Sequence, residues 1–149
     1  MSWATCARGH THWGPRGAAG LLLAHRGRVL LQLRARWSHQ GGTWSIPGGA
    51  RERGETAVQA ALREAHEELG VDPAALETRG TSVASCGGWT YETVLAVPCA
   101  EVHVRDRAES EAHAWVKPDD VETLPLHPAF RLAWSTTERL RLFVSESVG

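Results

Sequence analysis

Apolar residues recur through residues 55–69 at the three-and-four spacing of a helix, with Val58, Ala61, Leu62, Ala65 and Leu69 forming one stripe that should face a core. Gly70 follows the last apolar position, where a left-handed residue closes a helix. Val71 can then pack back on the final turn, and Pro73 prevents continuation. Elsewhere the pattern reads as strands. Ala18–His25 and Arg28–Arg34 form a pair joined at Arg26-Gly27, and Thr43–Ile46 is a shorter extended piece. Glu77–Cys86 and Trp89–Val97 flank the Gly87-Gly88 turn, Glu101–Val104 extends that sheet, and Ala112–Val116 is a further strand. Pro118–Thr123 makes a short helical turn, and Pro128–Phe143 repeats apolar positions at helical spacing. Strands and helices in this order predict an α/β fold, a mixed central sheet between helical layers.

Composition narrows the class without naming it. The 149 residues suit one domain, read as residues 17–149 behind an N-terminal arm at 1–16. Sixteen basic against 17 acidic residues leave a net charge of −1, which argues against an extended nucleic acid as partner. No apolar run is long enough to span a bilayer, and the polar start lacks a secretory segment. Cys6, Cys86 and Cys99 are too scattered for a disulfide framework, so a reducing cytoplasm is the expected compartment.

Candidate chemistry sits on the first helix. At roughly 100° per residue, Glu64, Glu67 and Glu68 fall together on a face away from the apolar stripe, so their carboxylates are expected to converge. Like charges at this spacing cost an isolated helix about 0.2–0.5 kcal/mol per pair, so either water solvates an acidic face or a cation compensates it. Upstream, Ile46-Pro47-Gly48-Gly49 reads as a strand end entering a tight loop that can bring backbone groups toward a ligand. Clustered carboxylates without a neighbouring cysteine suit hard cations, magnesium or manganese among them.

Gly49, Glu55 and the run Arg63-Glu64-Ala65-His66-Glu67-Glu68-Leu69-Gly70-Val71 together resemble the Nudix box of the MutT-like hydrolases, here residues 49–71. Ala65 is smaller than the aliphatic residue usual there. The resemblance implies the Nudix α/β/α sandwich and metal-dependent hydrolysis of a nucleoside diphosphate derivative: a nucleoside triphosphate, ADP-ribose or a nucleotide sugar. By position it implies that Glu67 and Glu68 hold metal, that Glu64 ligates metal or acts as general base, and that Arg63 orients the acids. It further implies that a carbonyl of Gly48 or Gly49 completes the metal site. Glu55 lies off the three-glutamate face, where an acid in a first helical turn is already favoured by the dipole; the resemblance gives it a supporting role behind the ligands. Glu111, in the acidic segment before Trp115, resembles the additional acid the family draws from outside its box, and competes with Glu64 as general base.

Among candidates for substrate contact, Trp44 precedes the glycine loop, Trp89 and Tyr91 follow a glycine turn, and Arg34 and Arg36 can fork onto phosphate. Cys6, His10 and His12 supply three corners of a zinc tetrahedron but no fourth, which favours an arm packed on the domain. Tryptophans on that arm are compatible with a homodimer. Two other readings stand beside the hydrolase: a non-catalytic nucleotide sensor, and an isopentenyl-diphosphate isomerase on the same fold, whose box is usually degenerate where this one is complete.

Overall fold

The computed structural model describes residues 3–5, 11–13, 16–38 and 40–148, with the backbone alone for 3–5, 11–13 and Cys86. In the arm, β1 (Trp3–Thr5) and β2 (Thr11–Trp13) pair antiparallel as a separate ribbon. Cys6 and His10 lie outside the described residues, as does the side chain of His12, and so does the zinc reading that joins them.

Two adjacent strands organise the domain by parting. β3 (Ala18–His25) and β4 (Arg28–Arg34) pair only beside their turn, at Ala24–Val29 and His25–Arg28. Beyond that point β3 takes β6 (Gly48–Ala50) as its antiparallel neighbour, while β4 takes β5 (Trp44–Ser45) and β9 (Ser110–Val116). On its other side β3 runs parallel to β8 (Trp89–Pro98), which pairs antiparallel with β7 (Leu76–Cys86). The sheet is mixed, as expected, and it is split where β3 and β4 separate.

Helices cover both faces. α1 (Ala57–Leu69) buries Ala57, Ala60, Ala61, Ala65 and Leu69 against Leu21, Leu23, Leu30, Val94 and Ala96. Four alanines let its backbone approach the strands closely, so Ala65 fits where a larger residue would hold the helix off. The opposite core gathers Leu22, Leu31 and Leu95 under Phe130 and Trp134 of α3 (Pro128–Thr136) and Leu140 and Val144 of α4 (Glu138–Ser145). Because β3 is covered on both faces, it reads as a continuous apolar run rather than an alternating one. A short α2 (Pro118–Val121) follows β9. Among the described residues no helix is long and apolar enough to cross a membrane.

Local chemistry sets the ends of α1. Thr56 caps its start in a reciprocal box: Gln59 N donates to Thr56 Oγ1 at 3.1 Å, and Thr56 N donates to Gln59 Oε1 at 2.9 Å. Gly70 ends it with φ 67°, the left-handed closure expected from the sequence. The helix therefore starts two residues later than its composition suggests, and Glu55 lies before it. Glu55 thus stands outside the first helical turn in which the sequence placed it.

Three further elements differ from expectation. Gly48–Ala50 is a strand, because Gly48 and Gly49 can lie flush against β3. Residues 101–104 form no strand; instead the chain continues over the end of α1, where Arg105 N and Arg107 N donate to the carbonyls of Leu69 and Glu68, each at 2.8 Å. These bonds satisfy carbonyls that every helix end leaves free. The single helix read over Pro128–Phe143 breaks at Thr137 (φ −121°, ψ 91°). Ser135 and Thr136 hydroxyls bond back to the carbonyls of Arg131 and Leu132, competing with the helical ladder. The apolar period survives the break because both pieces bury onto one core.

Candidate active site

The polar face of α1 lies against β6 and reaches the gap between β3 and β4. Arg63 is its centre. Nε donates to Glu55 Oε2 at 2.7 Å and Nη2 to Glu55 Oε1 at 3.0 Å, a two-pronged grip. Nη2 also donates to the Ala50 carbonyl at 3.2 Å, while Nη1 reaches Glu64 Oε1 at 2.8 Å and Glu67 Oε2 at 3.3 Å. With Glu52 Oε1 at 3.5 Å, one guanidinium faces four carboxylates. The hydrogen bond from Arg63 holds Glu55 below the ordinary carboxylate range, and the same bond holds the guanidinium firmly protonated. Arg51 steadies the turn by donating to the Glu55 carbonyl at 2.9 Å.

Glu64, while bonded to Arg63, also lies against Gly49. A Cβ at Gly49 would stand 2.8 Å from Glu64 Cδ and about as close to both carboxylate oxygens, so only glycine admits this approach. Burial raises the Glu64 carboxyl against the pull of Arg63. Glu68 is deeper, 8% exposed, with Oε1 accepting from Gln32 Nε2 at 2.8 Å and Oε2 from Gly48 N at 3.3 Å. It thus touches both sides of the split, β4 through Gln32 and β6 through Gly48. Burial pushes its carboxyl up to about 8, helped by the nearby charge of Glu64 and opposed by the Gln32 bond.

The three carboxylates of this face are not equivalent: both Glu67 and Glu68 act on the ionisation of Glu64, Glu64 raises that of Glu68, and Glu67 is half-exposed and bonded to Arg63. On the helical wheel Glu68 lies about 40° from Glu64 toward the core and Glu67 about 60° the other way, toward solvent. Among the described residues no three His, Cys, Asp or Glu side chains stand together as a finished metal cage. The donors present fit magnesium nonetheless, since that ion is usually held by one or two carboxylates and keeps its other positions for waters and phosphate. Paired carboxylates beside Gly48 and Gly49 make such a half-site.

The remaining candidates are scattered around it. The charge of Arg34 is felt by both Glu68 and Tyr91. Tyr91 and Trp44 pack against the core under α3 and α4, and burial raises the Tyr91 phenol. Arg36 is exposed on the β4–β5 loop, and Trp89 is half-buried at the start of β8. Glu111 is exposed at a bulge, where register shifts between Leu33–Ala112 and Arg34–Ser110. Sequence reasoning did not single out Gln32, although a lone amide after Val29-Leu30-Leu31 in a buried strand was a readable signal. Nor did it find Glu52 or the Ala50 carbonyl, whose contacts arise from the turn geometry before α1.

The site is thus an arginine-bound acidic helix laid on a glycine strand, within a mixed sheet between helical layers. The family model described as NUDIX domain matches residues 14–137, and the chain belongs to that family, whose enzymes act on phosphorus-containing acid anhydrides. It is 46% identical over 150 residues to a Mycobacterium tuberculosis protein called "Putative 8-oxo-dGTP diphosphatase 3", covering 93% of this chain and 68% of that one. It is 30% identical over 117 residues to the CTP pyrophosphohydrolase of Escherichia coli, covering 78% and 73% of the two chains. The crystal structure of RenU, a Nudix hydrolase from M. smegmatis, superposes with a TM-score of 0.84 at 43% identity over 96% of each chain.

Proposed function

We propose that the protein hydrolyses a nucleoside triphosphate to the monophosphate and pyrophosphate, using magnesium or manganese held by Glu64, Glu67, Glu68 and a carbonyl of Gly48 or Gly49. The observation that carries this reading is the approach of Glu64 to Gly49 beside buried Glu68. Both relatives named above carry a nucleoside triphosphate in their names, which favours that class over ADP-ribose or a nucleotide sugar.

When bound, the cation neutralises phosphate charge and makes a water acidic enough to lose a proton at neutral pH. Glu64 accepts that proton while the water oxygen bonds to phosphorus and the anhydride bond to the leaving phosphate breaks; Glu111 is the other candidate base. Arg63 holds Glu64 in line through its 2.8 Å bond, and Glu55 holds Arg63. Arg34, at the end of β4, and Arg36, exposed on the following loop, are the candidates to meet phosphate oxygens.

The test is a magnesium-dependent screen of 8-oxo-dGTP, dGTP, CTP, ADP-ribose and a nucleotide sugar in labelled water. Monophosphate and pyrophosphate should appear, and the product carrying the label identifies the attacked phosphorus. Turnover unchanged in both Glu64→Gln and Glu68→Gln would sink the mechanism. Saturable binding without turnover of any anhydride would instead support the nucleotide sensor.

A further inference from the structure

We propose that Gln32 is a positioning residue, its amide fixing the orientation in which the Glu68 carboxylate meets a divalent cation. The inference rests on the metal-dependent reading above. It starts from a residue that packing does not explain. Val29, Leu30 and Leu31 are fully buried on β4, and Gln32 beside them is only 1% exposed. A methionine or leucine would fill that place without polar atoms. Glutamine instead leaves its Oε1 buried with no hydrogen-bond partner among the described residues, a burden on the fold.

What the amide does have is a 2.8 Å bond from Nε2 to Glu68 Oε1, across 36 residues of sequence. Gly48 N meets the other oxygen at 3.3 Å. Donors from β4 and β6, the two sides of the split sheet, thereby fix both the position and the plane of the carboxylate. Both donors are neutral, so they orient Glu68 without cancelling its charge. Glu64 and Glu67 differ, being bonded to the Arg63 cation. The donor is itself rigid, because Gln32 is paired to Ser45 on one side and to His113 on the other. Outer groups that orient a metal-binding carboxylate typically change metal affinity or activity by about 10–100-fold when removed.

Direct titration with Mn2+, followed by the signal of the free ion, tests this in wild type, Gln32→Met and Glu68→Gln, with thermal unfolding of each. Wild type should bind, Glu68→Gln should bind far more weakly, and folded Gln32→Met should lose roughly tenfold or more in affinity, with an unfolding temperature lowered by the loss of one buried hydrogen bond. Wild-type affinity in Gln32→Met, alongside a weakened Glu68→Gln, overturns the role of Gln32 and leaves the metal reading standing. Wild-type affinity in Glu68→Gln overturns both. Should Gln32→Met not fold, the side-chain amide resonances of Gln32 in the unmodified protein serve instead. They should shift on saturation with magnesium, and resonances that stay in place overturn the proposal.

Discussion

Arg63 and Glu55, eight residues apart, are joined by two bonds of 2.7 and 3.0 Å, so the turn before α1 and the middle of the helix move as one piece. Lysine offers a single ammonium and cannot reproduce this fork while also reaching Glu64 and the Ala50 carbonyl. Arg63→Lys should therefore lower kcat/KM about 10–100-fold and destabilise the fold by roughly 1–3 kcal/mol. Steady-state kinetics beside thermal unfolding check both figures. A variant with wild-type kinetics would show that the glutamates need no such clamp.

Gly49→Ala separates site geometry from folding. Its Cβ would meet the Glu64 carboxylate at 2.8 Å, and that side chain would swing aside while the strand stays paired. Turnover should fall roughly 10- to 100-fold, the scale expected for a 1 Å misplacement, with the unfolding temperature little changed. A large loss of stability with unaltered turnover per folded molecule would contradict this.

Without metal, Glu68 makes stability depend on pH. Its folded value of about 8 lies above the unfolded one of roughly 4.3. The fold prefers the protonated acid, so the contribution is complete below the unfolded value and is lost as pH rises through about 8. Glu55 runs the other way: its folded value is depressed, so its contribution is present above the unfolded value and lost as pH falls. Glu68→Gln should accordingly be more stable than wild type at pH 9 by a few kcal/mol and nearly equal to it at pH 4. Denaturant curves in chelator at both pH values would show whether the two proteins converge in acid.

Thr56→Ala removes the helix cap and nothing at the site. Loss of the cap costs about 1 kcal/mol, lowering the unfolding temperature by roughly 2–4 °C. KM and kcat should match wild type; a change in either would mean the start of α1 positions the glutamates.

Much of this was legible in the chain. The strands around Arg26-Gly27, the apolar period of α1 and its glycine closure follow from local spacing and turn chemistry, which act within a few residues. The break at Thr137 was hidden because both helical pieces bury onto one core and keep one period. Glu68 belongs by spacing to the acidic face of α1, yet on the wheel it falls between Ala57 and Ala61, both buried.

By itself the sequence determined most of the elements, the family and the acids of the box, since each depends on residue identity at short range. Only the tertiary structure decided which of these acids is buried, because that depends on where β3 and β4 part. Their separation lets Glu68 reach Gln32 and Gly48 on different strands, and burial there raises its carboxyl. Long-range pairing of this kind is set by how whole layers pack, and no local spacing encodes it.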